Sequence, residues 1–433
     1  MKKILIIGGG LAGLVVAERL GNAGLVVTVL EREAEAGGVC RSLQQGKYTF
    51  DYTGHLLHVA CDETKEYLKD LGIWSRLDVH TRNAGIHLGG EITPYPIQIH
   101  TWGLPPRIRR DCLLGFVRAW ADRGGEEPTS FREWVLERFG EGLAEHFFFP
   151  YNEKLYRTKA EELCLDWVGR YVPKPDLEEV VDGALGLHDE AVGYNAVFRY
   201  PTEGGIRLLP DSVAGRIAGL HLGAEVVKVN LGEKWVETAD GSRLSWDHLV
   251  ATLSLPLLVD RTADDLPQEV VDARRALRWV RVVNLALGVR GAAPVDHHWL
   301  YFPEIQFPFY RVGFPSNHGG VAPEGCHTVS VEISLDPDGG VPGDLMATAE
   351  RALVDIGLLD QENIEERVLT MLDPAYVVFD HHRREAVATL RQFYADHGVQ
   401  LTGRWAEWKY SAMEDAILDG MNSARRFIRS FGD

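Results

Sequence analysis

The chain has 433 residues, with 45 Lys and Arg against 63 Asp and Glu, which gives a formal net charge of −18. This length predicts two or three domains. The acidic balance argues against a protein that binds nucleic acid without regard to sequence, and against one that binds an anionic membrane surface. An anionic substrate would need a local cluster of Arg that overcomes the repulsive overall field.

The cysteines and the apolar runs indicate the compartment. Five cysteines without a C-x-x-C pair predict no disulfide framework and favour a reducing cytoplasm. The apolar run after the first lysines is too short for a signal peptide. No run reaches the ~18 residues of a membrane-spanning helix. We therefore expect a cytoplasmic protein without a membrane span.

The first 31 residues predict a strand, a glycine turn, a helix and a second strand. Apolar runs at 3–7 and 25–30 are typical of buried parallel strands, and 11–20 has helical spacing. The turn between the first strand and the helix carries G-x-G-x-x-G, at Gly8, Gly10 and Gly13.

This glycine motif predicts a dinucleotide site. Gly8 permits the tight turn, Gly10 lets the backbone approach a pyrophosphate, and Gly13 allows close packing of helix on strand. The phosphates would lie at the helix N-terminus, where free N–H groups and the helix dipole favour negative charge. Glu31, at the end of the second strand, is placed to accept hydrogen bonds from the ribose. A glycine-rich structural turn is the alternative.

Periodicity predicts the later elements. An amphipathic helix is expected over 131–149, with Thr129 or Ser130 as its N-cap. Strand patterns follow at 224–231, 234–240, 248–255, 279–289, 299–302 and 328–333. A final helix is expected over 412–431.

Two further segments resemble the amine-oxidase-like flavoproteins. Gly37-Gly38 with Arg41 resembles their E-x(n)-G-G-x-x-x-[ST] extension, in which the glycines skirt FAD and the Arg would contact a phosphate. Near the other end, Gly403-Arg404 resembles the segment that closes against the flavin. The resemblance implies FAD, bound without a covalent link. A surface Arg after a glycine turn is the alternative.

Within that superfamily, which includes the protoporphyrinogen oxidases, several segments resemble the UDP-galactopyranose mutases, particularly their eukaryotic-type group. The segments occur in the family's order along the chain. They are the histidine loop at 51–58, P-Y-P-I-Q at 94–98, F-P-Y-N-E-K-L-Y at 149–156, W-V-G-R-Y-V-P at 167–173, W-L-Y-F-P-E at 299–304, P-F-Y-R at 308–311 and G-R-W-A-E-W-K-Y at 403–410.

The resemblance implies the site residues. The implied catalytic residues are His55, Arg170, Tyr301, Arg311 and Tyr410. The same Arg and Tyr side chains would bind substrate together with Gln98, Tyr151, Asn152 and Trp167. Gly54 and His55 would lie beside the flavin. Arg170 and Arg311 would form two halves of a diphosphate clamp, for which Arg is suited because its planar fork binds two oxygens at once. Surface ion pairs are the alternative.

The histidines predict no metal site. His55 and His58 form an H-x-x-H pair, but spacing places no third ligand beside them. We expect His55 at the flavin edge, and a core position is the alternative for His58. The doublets at 297–298 and 381–382 are expected in turns or in solvent.

Together these features predict an α/β fold, with a Rossmann-type FAD-binding domain, a helical insertion and an antiparallel β-sheet substrate domain. The FAD-binding segments are expected at 1–82, 196–260 and 381–433. The helical insertion would span 83–195, and the substrate sheet 261–380.

The resemblance implies a flavin-dependent mutase that interconverts the pyranose and furanose forms of an NDP-hexose. In that family, N5 of the reduced flavin attacks the anomeric carbon, and NAD(P)H would be the external reductant. Departures from the family pattern at 99–100 and 411–415 leave the identity of the sugar and of the nucleotide open. Whether the chain forms a homo-oligomer is also left open. The alternatives are an FAD oxidase or desaturase of the amine-oxidase or protoporphyrinogen-oxidase type, and a non-catalytic FAD-binding protein.

Overall fold

A computed structural model describes residues 2–125, 127–187 and 196–429, with Arg170 and Tyr171 described by their backbone alone. The strands are β1 (Ile4–Ile7), β2 (Val27–Leu30), β3 (Ser42–Gln45), β4 (Tyr48–Asp51), β5 (Leu77–Thr81), β6 (Ala84–Leu88), β7 (Glu91–Pro94), β8 (Val197–Pro201), β9 (Leu220–His221), β10 (Val226–Asn230), β11 (Trp235–Thr238), β12 (Arg243–Ser245), β13 (His248–Ala251), β14 (Trp279–Arg290), β15 (Trp299–Tyr301), β16 (Arg311–Gly313), β17 (Cys326–Leu335), β18 (Ile364–Val377) and β19 (Val399–Leu401).

The α-helices are α1 (Leu11–Asn22), α2 (Asp62–Asp70), α3 (Pro106–Ala121), α4 (Phe131–Leu143), α5 (Phe149–Tyr156), α6 (Val168–Tyr171), α7 (Leu177–Leu185), α8 (Leu208–Ala214), α9 (Leu255–Arg261), α10 (Gln268–Ala276), α11 (Leu345–Asp355), α12 (Arg383–Asp396) and α13 (Met413–Arg429). In the three described ranges, no helix combines the length and the apolar character that crossing a membrane requires.

A five-stranded parallel sheet contains the N-terminal unit. Its order is β19-β13-β1-β2-β9, with every neighbouring pair parallel. All four residues of β1 are buried between β2 and β13, which explains its unbroken apolar sequence. The predicted strand–helix–strand unit is confirmed. Its second strand begins at Val27 and not at Leu25, because Val26 is 64% exposed.

The last helix closes this layer. Helix α13 packs against α1, and the two backbones meet at Gly420. A Cβ at Gly420 would lie 2.8 Å from the carbonyl oxygen of Ala12 and 2.7 Å from Cβ of Val15, so the crossing requires glycine. The helix predicted at 412–431 is observed from Met413 to Arg429, and its predicted last residues lie outside the described part of the chain.

A second, seven-stranded sheet has the order β18-β14-β17-β16-β15-β6-β7. All of its neighbouring pairs are antiparallel except β15 with β6, which confirms the predicted antiparallel-rich sheet. In the short β15–β16 ladder, Tyr301 lies opposite Arg311. Two predicted site residues therefore stand side by side at the end of one hairpin.

The three strand patterns between 224 and 255 belong to two sheets. β10 pairs with β11, and β11 also pairs with β12, which the sequence analysis missed, in a separate antiparallel sheet of order β10-β11-β12. The third pattern, observed as β13, joins the five-stranded parallel sheet. The proposed domain boundaries stay a prediction.

The helix predicted over 131–149 is interrupted. Gly140 has φ 75° and ψ 173°, and a π-helical turn at Ala144–Phe148 leads into α5. The break allows close contact with α3, since a Cβ at Gly140 would lie 2.0 Å from the carbonyl oxygen of Gly115. The N-cap prediction is confirmed for Ser130, whose side chain accepts from the backbone of Glu133 in a capping box.

Three histidines surround the buried ring of Phe198 in β8. The ring centroids of His80, His298 and His318 lie 5.3, 5.1 and 5.4 Å from that of Phe198. His298 is 7% exposed, so the expectation of a solvated position was wrong there. The residue lies in a bend directly before β15 and faces this cluster. The doublet at 381–382 is exposed, as expected. Burial lowers the pKa of His298 to about 4 and that of His318 to about 3.

Acid should therefore destabilise the fold through this cluster. An unfolded His titrates near pH 6.5, so the stabilisation from a neutral His318 is fully present above about pH 6.5 and is lost as the pH falls toward about 3. In the His318→Phe variant, the unfolding temperature should fall less between pH 7 and pH 4.5 than in wild type. The exposed His381→Phe variant is the control. Equal falls in His318→Phe and wild type would contradict this account.

Candidate functional site

The turn between β1 and α1 accepts glycine alone at two positions. Gly8 has φ 103°, and a Cβ there would lie 2.3 Å from Oγ1 of Thr252. A Cβ at Gly13 would lie 2.2 Å from the carbonyl oxygen of Gly8. Because Gly8 has no Cβ, β1 can lie close to Thr252 at the end of β13. Because Gly13 has none, α1 can pack directly on the turn. The N-terminus of α1 is thereby held at the carboxyl ends of the parallel strands.

That helix N-terminus is open to an anion. Gly10 is the N-cap, no described side chain caps it, and the first turn has no acidic residue. A Cβ at Gly10 would meet Cα of Gly38 at 3.9 Å and nothing nearer. The free N–H groups and the positive end of the helix dipole therefore face open space at the point where a pyrophosphate is expected.

Glu31 already has backbone partners. Its Oε2 accepts a hydrogen bond from the N–H of Gly9 at 2.6 Å, and Oε1 accepts from that of Glu33 at 2.9 Å. The residue is 6% exposed. Its carboxylate thus holds the glycine turn in shape, while its contact with a ribose stays a prediction.

One cavity extends from this turn to the seven-stranded sheet. It brings together ten of the predicted site residues, namely Gly10, Gly13, Gly38, Gly54, His55, Tyr301, Arg311, Gly403, Arg404 and Tyr410. Glycines form the wall next to α1, and the charged and aromatic side chains lie toward β15 and β16. Gly403 has φ 88°, and its Cβ would lie 2.8 Å from that of Ala12, so this wall too is formed by close backbone approach. A dinucleotide cofactor fits a cavity with glycines on one side and charged and aromatic side chains on the other, because its pyrophosphate needs close backbone approach at the glycines.

Two other predicted site residues have protein partners, and their contacts with cofactor or substrate stay predictions. Arg41 donates through Nε to the carbonyl oxygen of Gly38 at 2.7 Å. Gln98 is 2% exposed and donates to the carbonyl oxygen of Pro173 at 2.9 Å. Neither Arg41 nor Gln98 lines the cavity.

The remaining predicted substrate residues lie in the helical region. Asn152 donates to the carbonyl oxygen of Phe148, one turn earlier, at 2.8 Å. The ring of Tyr151 packs edge-on to that of Tyr301, with centroids 5.4 Å apart. Trp167 packs on Phe131 and Tyr156. These residues also lie outside the cavity lining. The backbone of Arg170 is in α6, and its side chain lies outside the described part of the structure.

Arg311 is a partly buried cation of the cavity, with a side chain that is 20% exposed, and Arg82 and Arg404 line the same cavity. Its Nη2 donates to both carboxylate oxygens of Glu332, each at 2.7 Å, and Glu332 is 2% exposed. The same carboxylate accepts from the hydroxyl of Tyr310 and from the N–H of Gly54. Burial alone would lower the pKa of Arg311, but the Glu332 carboxylate holds it well above its usual value. The guanidinium therefore stays charged.

His55 lies at the cavity between two arginines. Burial, and then the charges of Arg404 and Arg311, lower its pKa to about 4. Its Nδ1 lies 3.4 Å from Oγ1 of Thr53. The imidazole is therefore neutral at pH 7 and presents one N–H donor and one acceptor nitrogen.

Arg404 is anchored at the base of the cavity. Its Nη1 and Nη2 donate to the carbonyl oxygens of Ser411 and Ala375, at 2.9 and 3.0 Å. Its guanidinium lies over the rings of Trp405 and Tyr410 at 4.6 and 5.0 Å. These contacts exclude the alternative of a solvated surface Arg.

Five functional candidates were missed by the sequence analysis: Arg82, Tyr95, Tyr310, Glu332 and Tyr376. Arg82 lies over Tyr95, and both line the cavity with Tyr310 and Tyr376. Glu332 could have been found, because it is a lone acid in the otherwise uncharged strand pattern C-H-T-V-S-V-E-I-S-L, and a buried acid needs a cationic partner. Tyr95 and Tyr310 lie in the family-like segments 94–98 and 308–311 but were not named as site residues, and Arg82 and Tyr376 carry no distinguishing local pattern.

Comparison with known proteins adds two curated relatives. A dTDP-fucopyranose mutase of Escherichia coli is 25% identical over 172 residues, which are 38% of this chain and 44% of that protein. A probable UDP-galactopyranose mutase of Klebsiella pneumoniae is 25% identical over 169 residues, 37% of this chain and 43% of that protein. The chain thus matches less than half the length of either relative.

The structural likeness extends further. The crystal structure of a reduced UDP-galactopyranose mutase superposes with a TM-score of 0.92 and 25% sequence identity, over 99% of this chain and 96% of that one. The sequence model of the flavin containing amine oxidoreductases matches residues 11–428. With its glycine-walled cavity at the head of α1, the chain belongs to the flavin containing amine oxidoreductase family and binds FAD.

Proposed function

We propose that the chain is a flavin-dependent nucleotide-sugar mutase, which interconverts the pyranose and furanose forms of an NDP-hexose. The observation that carries the proposal is that one cavity brings the glycines of the expected FAD site together with the partly buried Arg311 and several Tyr side chains. The mutase names of the two curated relatives, and the close likeness to a reduced UDP-galactopyranose mutase, support the same reaction class.

Arg311 would bind the diphosphate. Both contacts to Glu332 use Nη2. Among the described residues, Nε and Nη1 form no further hydrogen bond, and these nitrogens would bind phosphate oxygens. The charge is needed because the protein as a whole carries −18, and a partly buried guanidinium attracts an anion more strongly than a fully exposed one. Arg170 would supply the other half of the clamp, as the family resemblance implies.

The tyrosines would complete the phosphate and sugar contacts. Tyr301 lies opposite Arg311 in the β15–β16 ladder, and Tyr410 stacks against Tyr376 with ring centroids 6.4 Å apart. Burial raises the pKa of Tyr301 and raises that of Tyr376 to about 12. Their hydroxyls therefore keep their protons at neutral pH and act as donors to phosphate oxygens, while the rings exclude water.

The cofactor supplies the covalent chemistry: when reduced, FAD offers a nucleophilic ring nitrogen to the anomeric carbon of the sugar. The protein holds the diphosphate within reach while the sugar ring opens and closes. His55, uncharged at pH 7, would form one hydrogen bond at the edge of the flavin without adding a charge there. NAD(P)H is the proposed reductant, and the cytoplasm the proposed location.

The clamp predicts the effect of a charge-preserving substitution. Arg311→Lys keeps a positive charge beside Glu332 but loses the planar fork. Affinity for the NDP-sugar should fall by about 1.5–3 kcal/mol, roughly 10- to 150-fold, with FAD content unchanged. Arg290→Lys, an exposed β14 position that contacts Asn363, is the matched control. Wild-type affinity in Arg311→Lys, measured by calorimetry, would show that Arg311 is structural.

The reaction itself is tested by the products. The reduced holoprotein, prepared with dithionite, should convert one member of a panel of NDP-hexoses between pyranose and furanose forms, as resolved by chromatography. The oxidised protein should be inert, since the nucleophile exists only in the reduced cofactor. An oxidised sugar product with substrate-driven flavin reduction would instead identify an oxidase. No conversion of any panel member would count against the mutase.

A further inference from the structure

Lys154 makes an unusual set of contacts for a lysine. It lies on α5, and its Nζ donates to the backbone carbonyl oxygens of Phe302, Glu304 and Phe309, at 2.8, 2.6 and 3.2 Å. An ammonium group has three N–H donors and no acceptor, so these carbonyls use its full capacity. In the described ranges, no carboxylate forms an ion pair with Lys154.

The three carbonyls belong to one loop, residues 302–310, which joins β15 to β16. The loop begins after Tyr301 and ends before Arg311, and these two residues are paired across the hairpin. A further hydrogen bond, from Phe302 N to the Tyr310 carbonyl oxygen at 2.9 Å, closes the neck of the loop. A displacement of the loop would therefore move both cavity side chains at once.

Helix α5 contacts this hairpin at a second place. The ring of Tyr151, one turn before Lys154, packs edge-on to Tyr301 and to Tyr310, with centroids 5.4 and 6.4 Å apart. The ammonium thus fixes the loop backbone while the aromatic ring fixes the side chains at its base. The helical region is in this way joined to the strands that carry the proposed diphosphate site.

The burial of Lys154 supports a specific role. An exposed lysine keeps its charge in water, but Lys154 is partly buried, and burial lowers its pKa to about 7. The nearby carboxylate of Glu304 opposes this shift without forming an ion pair with Lys154, and it lies 3.4 Å from Nδ1 of His87. Burying an ammonium group costs free energy, and the three hydrogen bonds from Lys154 to the loop carbonyls offset that cost.

We infer that Lys154 is a positioning residue for the diphosphate site: its ammonium fixes the 302–310 loop to α5 and so holds Arg311 and Tyr301 at the cavity. The inference rests on the proposed function, because the ligand held by Arg311 is the diphosphate of an NDP-sugar. Lys154 itself does not line the cavity, so its effect passes through the hairpin.

The test compares Lys154→Met with Lys159→Met in the FAD-loaded full chain. Lys159 lies just beyond α5, its side chain is 67% exposed, and it pairs with Glu153. Lys154→Met should retain FAD but raise KM and Kd for the NDP-sugar about 10- to 100-fold, as expected for a misplaced ligand-binding group, with a much smaller change in kcat. Lys154→Arg, which restores the charge, should recover part of the affinity, and Lys159→Met should match wild type.

A lower Tm with unchanged KM and Kd in Lys154→Met would overturn the inference, because the lysine would then serve stability alone. If Lys154→Met does not fold, Lys154→Gln keeps two donors and should show an intermediate loss of affinity, so wild-type affinity there would equally overturn it. Inorganic pyrophosphate is titrated in parallel. A wild type that binds pyrophosphate but no NDP-sugar contradicts the proposed function, while Lys154 is still tested with pyrophosphate. A wild type that binds neither contradicts both.

Discussion

The buried pair of Arg311 and Glu332 connects the parts of the site. One carboxylate accepts from the guanidinium, from the hydroxyl of Tyr310 and from the N–H of Gly54, so β16, β17 and the histidine loop converge on it. Removing one member of such a buried pair costs about 3–5 kcal/mol, because an uncompensated charge remains. The pair also uses a single nitrogen of Arg311, which leaves the rest of the fork for an anion. Structural cohesion and the proposed binding of the diphosphate thus depend on the same two residues.

The cofactor side depends on close backbone approach. Gly13 against Gly8, Gly403 against Ala12 and Gly420 against the same helix all exclude a Cβ. Helix α1 is therefore pressed between the first strand and the C-terminal helix, with its N-terminus directed into the cavity. Residues from both ends of the chain build this half of the site, and the FAD prediction likewise used both ends: the glycine motif with its Gly37-Gly38 extension, and the closing segment at Gly403-Arg404.

The sequence predicted those features that depend on neighbouring residues alone. The turn at Gly8 could be predicted because sterics allow little else there, and the antiparallel-rich sheet followed from its strand patterns. The break at Gly140 was missed because its cause, contact with α3, is distant in sequence. Gln98 and Asn152 were expected at the substrate, but their amides bind backbone carbonyls that no motif reveals. Glu332 was overlooked although it is a lone acid in an otherwise uncharged strand, because its partner Arg311 is identified only when β16 is placed beside β17.

The central claim is that the flavin works here without net electron transfer. The most direct measurement is the ratio of sugar converted to reductant oxidised, taken under strictly anaerobic conditions with catalytic amounts of reduced protein. Ring interconversion changes no oxidation state, so the account predicts many sugar molecules converted for each equivalent of reductant. A ratio near one, or full activity of the oxidised form, would contradict the mutase and leave an FAD-dependent oxidoreductase.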